Sequence, residues 1–343
     1  MKVAGLLAVF IGIILVGCSN GAPTTVEQPS DIDATVAAAV AATRTASVVQ
    51  EKVAATLSAP TQTTAPPTPT TAPPTPPTPT TAPPTPTTES ASTVKKILDK
   101  VLPLRENHFN EGVEYYEGGQ YENAIQEFDK AIQLDPDYAK AYYSRGNAYV
   151  NLGQYQRAIQ DYDKAIQLDP DDALAYNNRG YSYDELGQHQ WAIQDYDKAI
   201  QLDPDDADAY SNRGVSYGNL GQYQNAINDY TKAIQLNPDD ADAYYNRGNA
   251  YLDQGQYQRA IQDYDRAIQL DPDFADAYYN RGYSYDELGQ YQNAINDYTK
   301  AIQLGPNDAW AYYNRGVSYE GLGKFDLAEK DYDKACEIDR SLC

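Results

Sequence analysis

Shifted by 34 residues, the chain aligns on itself from Arg105 to Leu342. A period of this length leaves few folds open. Each copy is one supersecondary unit, too small to bury its own apolar face, so neighbouring copies must stack. Units start at Arg105, Ala139, Ala173, Ala207, Ala241, Ala275 and Ala309. The second reads AKAYYSRGNAYVNLGQYQRAIQDYDKAIQLDPDD. Two stretches of helical periodicity flank Gly153, and Asp169-Pro170 ends the second, because proline cannot continue a helix. Gly146, Ala158 and Ala165 are small enough to let two antiparallel helices approach closely, and Tyr142, Tyr149, Tyr155 and Tyr162 fill the space between them.

These marks resemble the tetratricopeptide repeat. Tyr142, Gly146, Tyr149, Ala158, Tyr162, Ala165 and Pro170 occupy the family's signature positions, and Arg145 departs from them where the family usually has Leu. The resemblance covers residues 105–342 and implies an all-α, right-handed α-solenoid of seven helical hairpins with a concave groove. Upstream, Val94, Ile97, Leu98, Val101 and Leu102 share one helical face, which predicts a capping helix over residues 90–104. At the other end, Glu329 stands where six units have Ile, and Arg340 replaces the terminating Pro. The sequence therefore predicts that the solenoid is finished there.

Before the repeats the chain changes character. Lys2 is followed by an apolar run, Val3 to Val16, too short for a bilayer span of about 20 residues and suited to an export signal over residues 1–17. Leu15-Val16-Gly17-Cys18 resembles a bacterial lipobox. That resemblance implies a diacylglycerol on the Cys18 thiol, cleavage before it, and a membrane-anchored lipoprotein of the cell envelope facing the extracytoplasmic side. Residues 18–59 read as a low-complexity stalk, with Ile32, Val36 and Val40 at helical spacing. Residues 60–89 are Pro/Thr-rich, and TTAPPTP occurs at Thr63–Pro69, Thr70–Pro76 and Thr80–Pro86. Too few apolar side chains are present for a core, so a disordered tether is predicted, with Pro60 to Pro86 reaching about 80 Å as polyproline II.

Charge narrows the function. The net charge is −23, and residues 1–104 are neutral overall, so the acid lies on the repeats. Nucleic acid is excluded as the main partner, because a phosphate backbone needs a basic surface. With three Cys and two His, no metal site and no cofactor are predicted. The acidic turns such as Asp203–Asp208 lack the Gly and distal Glu of a calcium loop, and read as inter-repeat turns with helix N-caps. His108 and His189 have no recurring Ser or Cys partner, so no enzyme is predicted.

The family resemblance implies that the second, fifth, sixth, ninth, twelfth and thirteenth residues of each unit line the groove. On that basis the candidate peptide-binding residues are Asn178, Asn212, Asp242, Tyr245, Asn246, Asn249, Asp276, Tyr279, Asn280, Tyr283, Trp310, Tyr313 and Asn314, with Asp184, Asp208 and Asp286 beside them. An Asn amide both donates and accepts, which suits the backbone of an extended peptide. The family's chaperone-tail binders use a Lys at the fifth position, absent here. The expected partner is a protein or extended peptide carrying basic residues. A cell-wall or surface glycan is the alternative, since Tyr and Trp faces stack on sugars while Asn and Asp bind hydroxyls; the competing docking surface is the convex face, where Trp191 is expected to be exposed. Two further expectations concern pairing. Each seventh-position Arg is expected to pair with the twenty-third-position acid of the preceding unit, because the first unit has Glu111 there and no unit before it. Cys336 and Cys343 are expected to form a disulfide in an oxidising compartment, through a turn after Ile338.

Overall fold

The computed structural model describes residues 88–343, with side chains from Lys100 onward. Cys18, the stalk and the Pro/Thr linker lie outside the described residues. Among the described residues the secondary structure is helical throughout. The helices are α1 (Thr88–Glu117), α2 (Tyr121–Leu134), α3 (Ala139–Asn151), α4 (Tyr155–Leu168), α5 (Ala173–Glu185), α6 (His189–Leu202) and α7 (Ala207–Asn219), then α8 (Tyr223–Leu236), α9 (Ala241–Asp253), α10 (Tyr257–Leu270), α11 (Ala275–Glu287), α12 (Tyr291–Leu304), α13 (Ala309–Gly321) and α14 (Phe325–Ile338). A 3-10 turn, Arg340–Leu342, follows.

Each helix packs on the one before and the one after. The first helices of successive repeats also meet one another, which puts them on the inside of the curve. Within a repeat the hairpin turns at a glycine with positive φ, 66° at Gly153, a conformation in which an L side chain is strained. The inter-repeat turns end in N-caps: Asp172, Asp206, Asp240 and Asp308 accept from the backbone N–H of Ala175, Ala209, Ala243 and Ala311. The core of each hairpin is an aromatic ring laid on a glycine. A Cβ on Gly146 would sit 2.7 Å from Tyr162 Cε1, and one on Gly248 the same distance from Tyr264. Ile193, Ile227, Ile261 and Ile295 are buried, whereas Glu329 at the same place is exposed.

Two features differ from the sequence reading. The helix expected over residues 90–104 is the N-terminal part of α1, which runs unbroken to Glu117 with Pro103 inside it. Val101 is buried, while Leu102 is exposed; the side chains of Val94, Ile97 and Leu98 lie outside the described residues. The second difference is a correction. The seventh-position Arg binds the acid of its own repeat: Arg145 Nε lies 2.8 Å from Asp161 Oδ2 and its Nη2 2.6 Å from Oδ1. The same bidentate pair recurs at Arg179–Asp195, Arg213–Asp229, Arg247–Asp263, Arg281–Asp297 and Arg315–Asp331. The contact to the preceding repeat comes from Nη1 and goes to the twenty-fifth residue: Asp129, Asp163, Asp197 and Asp265, or the Thr231 and Thr299 hydroxyls. One planar guanidinium thus ties three helices. Burial pushes the Asp161, Asp195 and Asp297 carboxyls up, against the pull of their arginines. Desolvation thus offsets part of the attraction within each pair, and the Nη1 contact is the arm of the guanidinium that spans the boundary between repeats. In the first repeat, where Glu111 stands in place of the Arg, His108 and Lys130 both bond Glu127.

Candidate peptide-binding groove

The inner face is built from α5, α7, α9, α11 and α13, and its side chains divide into committed and uncommitted sets. Tyr245, Tyr279 and Tyr313 are half-buried. Their rings lean on Tyr264, Tyr298 and Tyr332 of the paired helix, with centroids 5.9, 5.7 and 5.3 Å apart. They form the floor of the groove rather than its rim.

Most of the Asn row is tied across repeat boundaries. Asn178 donates to the Tyr143 hydroxyl and to Asn147 Oδ1, at 3.1 and 2.9 Å. Asn280 repeats this with Tyr245 and Asn249. Asn314 donates to the Tyr279 hydroxyl, and Asn212 to Asn177 Oδ1. Asn249 also accepts from the Tyr264 hydroxyl. Asn178 and Asn280 thus have both amide protons engaged and can offer a ligand only an acceptor. Asn246 is different. The fifth residue of the repeat before it is Ser211, which is too short to replace Tyr, and Ser211 Oγ is buried without a partner. Asp184 and Asp286 are likewise absorbed: Asp184 accepts from Ser216 and Tyr196 and faces His189, and Asp286 accepts from Ser318.

The uncommitted set is the second position, together with the ninth wherever it is not the bonded Asn147 or Asn249. Asp208, Asp242 and Asp276 are exposed in three successive repeats, and Trp310, 52% exposed, follows them. Among the described residues no ion pair engages the three carboxylates. Partial burial, and then neighbouring acids, push the Asp208 and Asp242 carboxyls up. Tyr181, Val215, Tyr283 and Val317 are exposed at the ninth position. Toward the N-terminal end the groove deepens into a cleft of about 170 Å³ lined by Tyr116, Asn147, Val150, Asn151, Tyr162, Asn178 and Tyr181. Trp191 lies apart on α6, 58% exposed and 6.4 Å from Tyr183. Cys336 and Cys343 are joined as a disulfide, Cα atoms 4.9 Å apart, through the turn after Ile338. No helix among the described residues is long and apolar enough to cross a membrane.

Comparison with known proteins agrees with this architecture. Family models described as TPR repeat match residues 112–153, 219–255, 248–289 and 282–323. Models described as tetratricopeptide repeat match 139–172, 173–206 and 309–342, and a further one matches 195–228. None of the curated proteins compared with the chain matches it. Among solved structures, the C-terminal part of a TPR repeat-containing protein from Cytophaga hutchinsonii is 21% identical, with a TM-score of 0.57 over 68% of this chain and 96% of that one. A tetratricopeptide repeat protein from Parabacteroides merdae is also 21% identical, TM-score 0.54, over 69% of this chain and 94% of its own. The MamA protein is 34% identical over 49% of this chain and 92% of its own, with a TM-score of 0.47. The first two share the fold, and the family models span the repeats almost end to end. The chain belongs to the tetratricopeptide repeat family.

Proposed function

We propose that the protein is a non-catalytic scaffold whose groove holds an extended, basic segment of a partner protein, and that lipid on Cys18 anchors it to the extracytoplasmic side of a membrane. The observation that carries the groove reading is the row of Asp208, Asp242 and Asp276, one carboxylate per repeat, exposed and without an ion pair, continued by exposed Trp310. The six seventh-position arginines are already spent on internal acids, so none of them supplies this row with a cation. Lys or Arg side chains on a bound segment supply it, while Trp310 and Tyr283 add apolar contact at little cost in rotamer entropy. The Leu15-Val16-Gly17-Cys18 run supports the anchor, and the Pro/Thr linker would hold the repeats away from the bilayer. Ser19 in place of Asp favours an outer-membrane destination in a cell with two membranes.

A pull-down with the full-length protein from envelope extract identifies the partner, and binding is then measured with Asp242→Asn/Asp276→Asn. Each exposed pair is worth about 0.5–1 kcal/mol, so the double variant should bind about five- to thirtyfold more weakly and lose much of its salt dependence. Unchanged affinity in a folded double variant would reject the groove. Exposed Trp310 also favours a second reading, a glycan ligand; binding to purified cell wall that resists salt would select it. Labelled fatty acid should enter the wild type and not Cys18→Ala.

A further inference from the structure

The first repeat departs from its six successors at the spot where they hold a guanidinium. In those six, a Tyr at the fourth position and the Arg at the seventh sit one helical turn apart, with the guanidinium 5.4–5.6 Å from the ring centroid. The Arg then reaches across to the twenty-third-position acid. The first repeat has His108 in place of the Tyr and Glu111 in place of the Arg, and the acid is Glu127. The cation is gone and a second carboxylate stands where it was.

The exchange also changes what the spot can bind. His108 and Glu111 are three residues apart on α1 and so share one face. Glu127 comes from α2, antiparallel to α1. One imidazole nitrogen and one oxygen from each carboxylate all lie within 4.8 Å of one another. His108 Nδ1 is 2.7 Å from Glu127 Oε2, while Lys130 takes the other oxygen, Oε1, at 2.7 Å. Glu127 is only 8% exposed, so its orientation is fixed by packing, and Glu111 is exposed and without a partner. Helical bundles hold transition metals with i, i+3 carboxylate–imidazole pairs on one helix and carboxylates from its neighbours; here the order within the pair is reversed, His before Glu. Calcium and magnesium prefer all-oxygen sites; one imidazole and two carboxylates suit zinc, and leave a fourth position for water.

We propose that His108, Glu111 and Glu127 bind one divalent transition-metal ion of the zinc class, a metal cation standing where the other repeats place arginine. The ion clamps α1 to α2 in the first of the seven repeats. The test uses metal-free full-length protein, titrated with Zn2+ against a chromophoric chelator and with Co2+ by visible absorbance. The comparison is His108→Tyr/Glu111→Arg, which installs the pair already present in six repeats and should therefore fold. Wild type should take up one equivalent and gain thermal stability from it. The double variant, with unchanged helix content, should bind at least about a hundredfold more weakly, since even second-shell losses reach that range, and should show no metal-dependent gain. No stoichiometric uptake by wild type, or equal uptake by the folded double variant, would overturn the proposal.

Discussion

High pH should unfold the repeats through five tyrosines. Tyr162, Tyr196, Tyr230, Tyr264 and Tyr298 occupy the twenty-fourth position of their repeats, and all are at most 4% exposed. Each ring fills the gap opposite a glycine of the partner helix, so its hydroxyl has left water on folding. Burial first, and then nearby acids or other tyrosines, hold these phenols well above the free value of 10.0. The folded state keeps the proton while the unfolded chain releases it, so the stability is fully present below pH 10 and is lost as pH rises. Each such group costs about 1.4 kcal/mol per pH unit above 10. At pH 11 the five together remove about 7 kcal/mol, comparable to the whole stability of an ordinary domain, about 5–15 kcal/mol.

Far-ultraviolet dichroism and tyrosinate absorbance, followed together through the alkaline range, test this. Exposed tyrosines should ionise first with helix content intact. A second, steeper rise in tyrosinate should then coincide with loss of helix. Tyr196→Phe/Tyr264→Phe should move that second step upward, and Phe128, buried at the same place in the first repeat, shows that a phenyl ring fits there. A single smooth ionisation with helices intact past pH 12 would refute the reasoning.

Two other expectations follow from individual contacts. Tyr298 Oη is buried without a partner, so Tyr298→Phe should be neutral or stabilising by up to about 1 kcal/mol, whereas Tyr264→Phe, which breaks the bond to Asn249, should cost about that much in denaturant melts. Arg281→Ala strands Asp297, 6% exposed, and should cost about 3–5 kcal/mol, while Asp265→Ala on the exposed arm of the same guanidinium should cost less than about 1 kcal/mol.

The hairpins, their glycine turns, the Asp N-caps and the change from Ile to Glu329 are all legible in the sequence, because each is a local pattern repeated in phase. Partner choice across helices is not. Asp161 lies 16 residues after Arg145 and Asp129 lies 16 before it, so spacing cannot tell the bidentate partner from the single-bonded one. The missing Arg of the first repeat points to a neighbour only if the Arg has one partner, and it has two. The Asn row misleads in a similar way. Its position on the inner face is readable from the period, but not that the amide reaches 35 residues back to a Tyr hydroxyl. His108 looks solitary in one dimension. The signal that finds it is the comparison of the first repeat with its own sisters, in which the fourth and seventh residues change together.

That comparison also locates where specificity is free to reside. A side chain bonded across a repeat boundary cannot change without stranding its neighbour, so Asn178, Asn280, Asn249 and the seventh-position arginines are held by the solenoid itself. At the ninth position Asn147 and Asn249 are bonded across a boundary and Tyr181 packs on Tyr155 of the preceding repeat, whereas Val215 and Val317 are exposed. At the second position nothing crosses a boundary from Leu174, Asp208, Asp242, Asp276 or Trp310, and there the repeats differ in both charge and shape. At this second position, diversity sits where no structural bond depends on it. Leu174 gives way to three acids and then to Trp310, a graded strip that presents an apolar contact, a run of charge and an aromatic face in sequence. An extended segment with its basic residues in the middle and apolar residues at both ends would match that order, and one with the reverse order would set its charges against Leu174 and Trp310.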